Sequence, residues 1–346
     1  RYLRGDLERL RSRRGTRAGG GRSWRGGCSG SGTKVSSSIS SNTDTGLDYR
    51  GFSASALAAT TPFQHVAELL WTGVLPPVST VWPKPRLPAD WRAMRRLVDR
   101  ATGPVEQLQL LVPALSLYDV DRYSAPQHLE LVRARRLVAL CAATLFPDQE
   151  CLDALSPAFV MVADQEPDEA TLAARLVAST GADLYSCVSA ALAAFSGHRG
   201  GGVCDRVEAL VSEVVGRRGE QAAAVVIAER RRRGEAVPGF RGSDFAGGVE
   251  IRCAPLFAAA KMMQGSNADR GDLRLAALFE IIREMERSGY GTPVVEVGVA
   301  AMGFALGLPG GSTRGILALG RLLGWTAHVF EERLVSGLSA SNLVGG

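Results

Sequence analysis

The chain has 346 residues, 46% of them hydrophobic and 22% charged, which excludes wholesale disorder and a collagen-like repeat and favours two lobes over one growing core. Aromatics make up only 6% while Gly numbers 40, a density of small residues suited to closely packed helices. The net charge of +5 is uneven: residues 1–27 hold nine Arg against Asp6 and Glu8, so a basic arm of +7 precedes a body of −2 that offers no electrostatic footprint for nucleic acid.

In chain order, Arg1–Arg14 (RYLRGDLERLRSRR) places Tyr2, Leu3, Leu7 and Leu10 at helical spacing with Arg on the other side. Without an initiator Met, the chain is expected to begin inside a longer protein. Residues 15–33 are rich in Gly, Ser and Arg and read as a flexible linker. Residues 36–53 are rich in Ser, Thr and Gly and show no period. Predicted helices follow: Ser55–Leu70 with a restart near Pro62, Trp91–Arg100, Gln107–Tyr118, Glu130–Leu145, and a short apolar stretch Leu155–Val162. The long tract Glu169–Phe195 is expected to kink or divide near Gly181. After the break SGHRGGG (196–202) come Val203–Gly216 and Gly219–Arg233, then the turn-rich EAVPGFRGSDFAGG (235–248). Cys253–Met263, Asp272–Ser288, Val294–Leu306 and Arg314–Val335 complete the helices. No strand longer than about five residues is expected, and GxGxxG and P-loop motifs are absent, so the fold class is mainly α.

No apolar run is long enough for a membrane span: Val297–Thr313, the best, contains Gly307, Pro309, Gly310 and Gly311. The six Cys (28, 141, 151, 187, 204, 253) form no CxxC and read as reduced cytosolic thiols, Cys187 and Cys204 as small buried hydrophobes. His65, His128, His198 and His328 show no metal-ligand spacing.

Glu296 is the single charge between Arg287 and Arg314. A lone acid entering an apolar helix must be paired, neutralised or turned to a cleft, which makes it the candidate general base; a salt bridge to a neighbouring Arg is the alternative. His198 lies in a Gly-rich break where a ligand could approach, or serves as a helix cap. On the last helix Arg321 and His328 share a face, with Glu331 and Glu332 nearby; His328 reads as a packing residue beside Trp325, and His65 as structural. The Arg230–Arg233 run reads as a solvated face, with a phosphate site as the alternative.

Four segments, in order within residues 35–346, resemble the citrate synthase family. TGLDYRGFSASALA (45–58) resembles its G-x-L-x-Y-R-G-Y motif, and FQHVAELLWTGVLP (63–76) the helix that follows. The tract from Val162 to Gly197 resembles the stretch that opens A-D-H-E-x-N-A-S-T, and GRLLGWTAHVFEE (320–332) resembles G-R-x-x-G-W-x-A-H-x-x-E. The resemblance implies a two-domain helical fold, with a large domain at 34–220 and 295–346, a small domain at 221–294, and a cleft between them. It also implies a cytoplasmic homodimer of the tricarboxylic acid cycle. Such an enzyme condenses acetyl-CoA or propionyl-CoA with a 2-oxo acid such as oxaloacetate through an enol intermediate, with acyl-CoA as cosubstrate and no resident cofactor or metal.

Carried over position by position, the resemblance puts Gln165 where the family has His after A-D, and Gly200 at the His of G-P-L-H-G-G, with His198 two residues earlier. Gly242 stands at the His of P-G-F-G-H, and Glu296 replaces the Asp of P-N-V-D-F. Arg252 corresponds to the D-P-R arginine, Arg321 to the oxo-acid clamp, and Leu338-Ser339-Ala340 to R-P-R. The implied catalytic residues are Glu296, His198 and Gln165; the substrate-binding residues are Arg321, Arg252, Arg199 and Gly200; Arg241 and Gly242 face the cosubstrate. Loss of one oxyanion donor typically costs roughly 10²–10³ in rate, so Gln165, Arg199, Arg241 or the backbone N–H groups of Gly200–Gly202 would have to substitute. The alternative is a catalytically inactive relative that senses metabolites or regulates DNA. Arg1–Arg14 resembles the end of a MerR-like winged helix domain, and DNA is a partner only if a complete helix-turn-helix exists.

Overall fold

The computed structural model describes residues 37–337 apart from 44–45, 78–80, 84, 86, 124–125, 166, 218, 220, 242–249, 251 and 267–272. The expected N-terminal module (1–14), the linker (15–33), Gly242 and Leu338-Ser339-Ala340 lie outside the described residues.

The stretch 36–53, which shows no sequence period, contains a small antiparallel sheet: β1 (Ser40–Thr43), β2 (Gly46–Tyr49) and β3 (Phe52–Ser53), with Ser40 opposite Tyr49 and Tyr49 opposite Phe52. Arg50 and Gly51 turn between β2 and β3 with φ of 50° and 87°. Two consecutive positive φ values suit the right-handed twist of a tight hairpin, and Gly51 supplies one without strain. Arg50 carries the other, held by hydrogen bonds from Nη1 to Ser38 Oγ at 2.6 Å and from Nη2 to the Leu70 carbonyl at 3.0 Å.

Helices make up most of the remainder. They are α1 (Ala54–Thr60), α2 (Phe63–Thr72), α3 (Trp91–Val98), α4 (Pro104–Ser116), α5 (Gln127–Leu145), α6 (Gln149–Ala154), α7 (Ser156–Met161), α8 (Glu169–Ala178), α9 (Leu184–Phe195), α10 (Gly202–Gly216) and α11 (Ala222–Arg232). After strand β4 (Phe240–Arg241) come α12 (Cys253–Ser266) and α13 (Leu273–Ser288), then β5 (Thr292–Pro293), α14 (Val295–Ala305) and α15 (Ser312–Val335). The restart at Pro62 separates α1 from α2, as expected. The tract 169–195 divides near Gly181, which takes φ 81°, after which Asp183 caps α9 by accepting from Ser186 N at 3.0 Å. Helix α6 was not apparent in the sequence; Asp148 starts it by accepting from Cys151 N at 3.0 Å.

Helix α15 is the axis of the core and packs against α2, α4, α5, α7, α8, α9, α10 and α14. Nearly every residue from Thr313 to Val329 is buried. Its glycines bring it onto α7 and the segment that follows: a Cβ at Gly320 would lie 3.0 Å from the Phe159 carbonyl, and one at Gly324 would overlap the Ala163 carbonyl. This close approach delivers Arg321 and His328 to Asp164. Strands β4 and β5 pair Arg241 with Thr292, and Val294 N donates to the Gly239 carbonyl at 2.9 Å, fixing the start of α14 and with it Glu296. Among the described residues no helix is long and apolar enough to cross a membrane.

Candidate active site

The polar residues of the last helix converge on Asp164, which is 1% exposed. His328 is fully buried, and its ring bridges Asp164 and Arg175. Arg175 Nη1 can only donate, at 3.2 Å, so Nδ1 accepts and Nε2 carries the proton toward Asp164 Oδ1 at 3.0 Å. His328 is therefore a hydrogen-bonded link and not simply packing beside Trp325. Ser40 Oγ donates to Asp164 Oδ2 at 2.6 Å, and Asp164 N donates to Tyr49 Oη at 3.2 Å. Arg175 also pairs with Glu331 at 2.6 Å and Glu332 at 2.8 Å. The N-terminal hairpin thus docks onto α7 and the segment that follows it through buried polar groups that are paired, as burial requires.

Two turns of α15 away from His328, Arg321 is 3% exposed. Its Nη2 donates to Asp168 Oδ2 at 2.9 Å and to Thr171 Oγ1 at 3.1 Å, and its Nη1 lies 3.9 Å from Asp164 Oδ1. Arg321 Nε and Nη1 are buried without a hydrogen-bond partner among the described residues. Asp168 also caps α8, accepting from Thr171 N at 2.9 Å. Burial opposes ionisation of Asp168, but Arg321 and the Thr171 bonds outweigh it and hold its carboxyl below the ordinary value.

Gln165 extends the cluster. Its Nε2 donates to Asp168 Oδ2 at 3.4 Å, and its Oε1 accepts from Arg252 Nη1 at 2.9 Å. Arg252 grips Glu250 with two bonds, Nε to Oε1 at 2.6 Å and Nη2 to Oε2 at 3.1 Å. The Arg252 partnership keeps the Glu250 carboxyl low despite its burial.

Glu296 sits in the first turn of α14. Burial pushes its carboxyl up; its own backbone N–H and the positive charges of Arg252 and Arg241 pull the other way without cancelling that, and Glu250 adds to the rise. Among the described residues no ion pair to Glu296 forms within 4.0 Å, so the salt-bridge alternative is not realised there. Arg241 is exposed on β4.

The structure therefore brings Gln165, Arg252 and Arg321 into one network and sets Glu296 in the field of Arg252 and Arg241. Among the described residues no hydrogen bond or ion pair joins His198 to it. His198 and Arg199 are exposed in the turn between α9 and α10, where the His198 carbonyl accepts from Arg206 Nη1 at 2.8 Å. The expectation that Gly200–Gly202 present free N–H donors is corrected. Gly200 N donates to Gly197 O at 3.1 Å, Gly201 N to Phe195 O at 2.8 Å, and Gly202 N to Gly197 O at 3.3 Å. The reason is tight winding: a Cβ at Gly200 would lie 2.6 Å from the Phe195 carbonyl oxygen.

Sequence reasoning missed Asp164, Asp168, Thr171, Glu250 and Tyr49 as parts of the network. Asp168 alone had a readable signal, an acid three residues before a buried Thr at a helix start. The Arg230–Arg233 run is a surface face, as read: Arg230 pairs with Glu213 and Glu235, and Arg233 with Glu235 at 2.7 Å. Cys187 and Cys204 are buried, as read, and burial pushes the Cys187 thiol up to about 12. No group of three or more His, Cys, Asp or Glu among the described residues could hold a metal ion.

A family profile described as "Citrate synthase, C-terminal domain" matches residues 137–338, more than half of the chain. Citrate synthase of Mycolicibacterium smegmatis is 24% identical over 329 residues, covering 83% of this chain and 85% of that protein. A 2-methylcitrate synthase of Mycobacterium tuberculosis is 23% identical over 336 residues, covering 84% and 82%. Among solved structures, citrate synthase of Thermotoga maritima matches with a TM-score of 0.69 at 21% identity, over 86% of this chain and 88% of that one. The ternary complex of carboxymethyl coenzyme A and oxaloacetate with citrate synthase of Thermoplasma acidophilum also reaches 0.69, at 17% identity over 86% and 89%. The structural likeness establishes the helical fold, and the profile match over more than half the sequence establishes descent: the chain belongs to the citrate synthase family.

Proposed function

We propose that the chain condenses an acyl-CoA, acetyl-CoA or propionyl-CoA, with a 2-oxo acid of the oxaloacetate kind. Glu296 removes the α proton of the thioester, the enolate carbon attacks the keto carbon, and the resulting alkoxide takes up a proton. Water then cleaves the thioester and releases the CoA thiol. The observation that carries this reading is Glu296 itself: a carboxyl raised by burial, at a helix start, with two arginine charges near enough to act on it. A raised carboxylate is a stronger base for a weakly acidic C–H. Gln165 supplies a neutral amide beside Arg252, suited to donating to an oxygen that gains charge. Neither Arg252 nor Arg321 can act as a general acid near neutral pH, so their part is to attract and orient anions.

The same reading carries a cytoplasmic homodimer, a large domain at 34–220 and 295–346, and a small domain at 221–294. Arg199 is assigned to the substrate side and Arg241 and Gly242 to the cosubstrate side, with acyl-CoA as a cosubstrate and no resident cofactor. Thiol release from acetyl-CoA or propionyl-CoA with oxaloacetate tests it; turnover is expected in wild type and lowered roughly 10²–10⁴-fold in Glu296→Gln, whose amide cannot accept the proton.

The turn at 197–202 favours a second reading. It carries no side-chain donor at Gly200 and spends its three N–H groups internally, which suits a catalytically silent relative that binds metabolites and regulates. Binding of an oxo acid or CoA without any thiol release would support that reading over the first.

A further inference from the structure

We propose that Glu250 is a positioning residue for the base: together with Gln165 it occupies the Arg252 guanidinium and keeps it from closing onto Glu296, so that Glu296 stays unpaired and able to take a proton. The proposal deepens the condensation reading and rests on it for the role of Glu296. All three nitrogens of the Arg252 guanidinium are engaged. Nε donates to Glu250 Oε1 at 2.6 Å, Nη2 to Glu250 Oε2 at 3.1 Å, and Nη1 to Gln165 Oε1 at 2.9 Å. Two parallel bonds to one carboxylate fix both the plane and the direction of the fork. The Arg252 and Glu250 side chains are 11% and 17% exposed, so water does little to loosen the pair.

Glu296 has no such partner: among the described residues no ion pair to it forms within 4.0 Å. Of the cations that act on it, Arg252 pulls harder than Arg241. A buried guanidinium stripped of its carboxylate is costly. An Arg252 released from Glu250 is therefore drawn to Glu296, the acid whose charge it already feels. Glu296 would then become a paired anion of the kind that Asp168 is beside Arg321. The other groups around Glu296 do not replace Glu250 in this role. Cys204 on α10 and Cys253 on α12 lie in the field of Glu296, and burial pushes both thiols up, so they stay neutral. Tyr49 of the hairpin faces Arg252, and burial raises its phenol as well. Arg241 lies at the exposed end of β4, where solvent screens its pull. Glu250 is the acid that both restrains Arg252 and, through its own charge, opposes ionisation of Glu296.

Carbon-13 NMR titration of the full chain, labelled at the glutamate side-chain carboxyls, tests this without requiring turnover. The Glu296 resonance is the one missing from Glu296→Gln. Its midpoint in wild type is expected above the ordinary Glu value of about 4.3. In Glu250→Gln it is expected about one pH unit lower, the usual effect of an arginine reaching a carboxylate. Glu250→Asp, which keeps the charge, should leave the midpoint near that of wild type; a merely structural role would lower the thermal melt and leave the midpoint in place in both variants. Gln165→Ala, which frees Arg252 Nη1 alone, should move the midpoint the same way by less, and carries the test if Glu250→Gln lacks a cooperative melt. A wild-type midpoint at or below the ordinary value, or one that is unmoved or raised in Glu250→Gln and Gln165→Ala, would overturn the proposal. Thiol release lost in Glu296→Gln alongside an unmoved midpoint would leave the condensation reading standing. A midpoint that falls as expected in a protein without thiol release would support the restraint of Arg252 by Glu250 and remove the condensation reading alone.

Discussion

Helices α8 and α14 each place a carboxylate at the N-terminus, where the helix dipole favours negative charge, yet the two acids are pushed in opposite directions. Asp168 at α8 touches Arg321 and two donors of Thr171, and its carboxyl is held low. Glu296 at α14 feels Arg252 and Arg241 only at longer range, and burial raises it. Position on the helix is therefore secondary. Direct contact with a cation outweighs desolvation, whereas a cation further away does not. The first environment makes a structural anion and the second makes a base.

The largest expected effect breaks the α14 side. Glu296→Gln should lower thiol release by roughly 10²–10⁴-fold, the usual worth of a positioned general base, with the thermal melt preserved. Unchanged turnover would show that another group takes the proton.

Breaking the α8 side should act on folding. Arg321→Ala strands Asp168 and Asp164 beside each other, and urea denaturation should show a loss of about 3–5 kcal/mol, the usual result of removing one partner from a buried pair. A loss below about 1 kcal/mol, typical of exposed pairs, would mean that the contact with Asp168 is weak in solution.

The glycine turn offers a smaller test. Gly200→Ala forces a Cβ against the Phe195 carbonyl and should cost about 1–3 kcal/mol, read from the shift of the urea midpoint. Gly200→His should cost at least as much and bring no gain in turnover. A stable, faster Gly200→His variant would show that the turn opens readily.

The smallest effects are in the pH dependence and have opposite signs for the two acids. With its pKa lowered, Asp168 contributes stability that is present above the ordinary Asp value and lost as pH falls through the lowered one. Asp168→Asn should therefore flatten the acid side of a stability–pH curve. With its pKa raised, Glu296 contributes stability that is present below the ordinary Glu value and lost as pH rises through the raised one. Glu296→Gln should remove that fall, and in wild type the acid limb of kcat/KM should lie above the ordinary Glu value of about 4.3.

Much of the architecture is legible in the residues because its signals are local. Pro62, Gly181 and the apolar run after Pro293 mark helix breaks and starts through backbone sterics, which need no partner to act. The hairpin at 40–53 is not legible, because its residues lack alternation and its stability comes from Tyr49 and Ser40 reaching the segment around Asp164, more than a hundred residues away. The candidate site divides in the same way. Glu296 stands out as the single charge between Arg287 and Arg314, an anomaly visible without a fold, and Arg321 is marked by the motif around Gly324-Trp325. Asp164, Asp168 and Glu250 look like ordinary acids until distances are known.

By itself, then, the sequence determines the helical class, the family and the two charged residues most in need of explanation, since composition, periodicity and motif order are properties of the chain alone. The tertiary structure decides what those charges meet. It shows that Arg321 is already neutralised by Asp168, that Arg252 is held by Glu250 and Gln165, and that His198 lies on an exposed turn. It also shows that Gly200 has no room for a side chain. Electrostatic energies depend on separation and solvent exclusion, and neither exists until α15 has packed against the segment that follows α7.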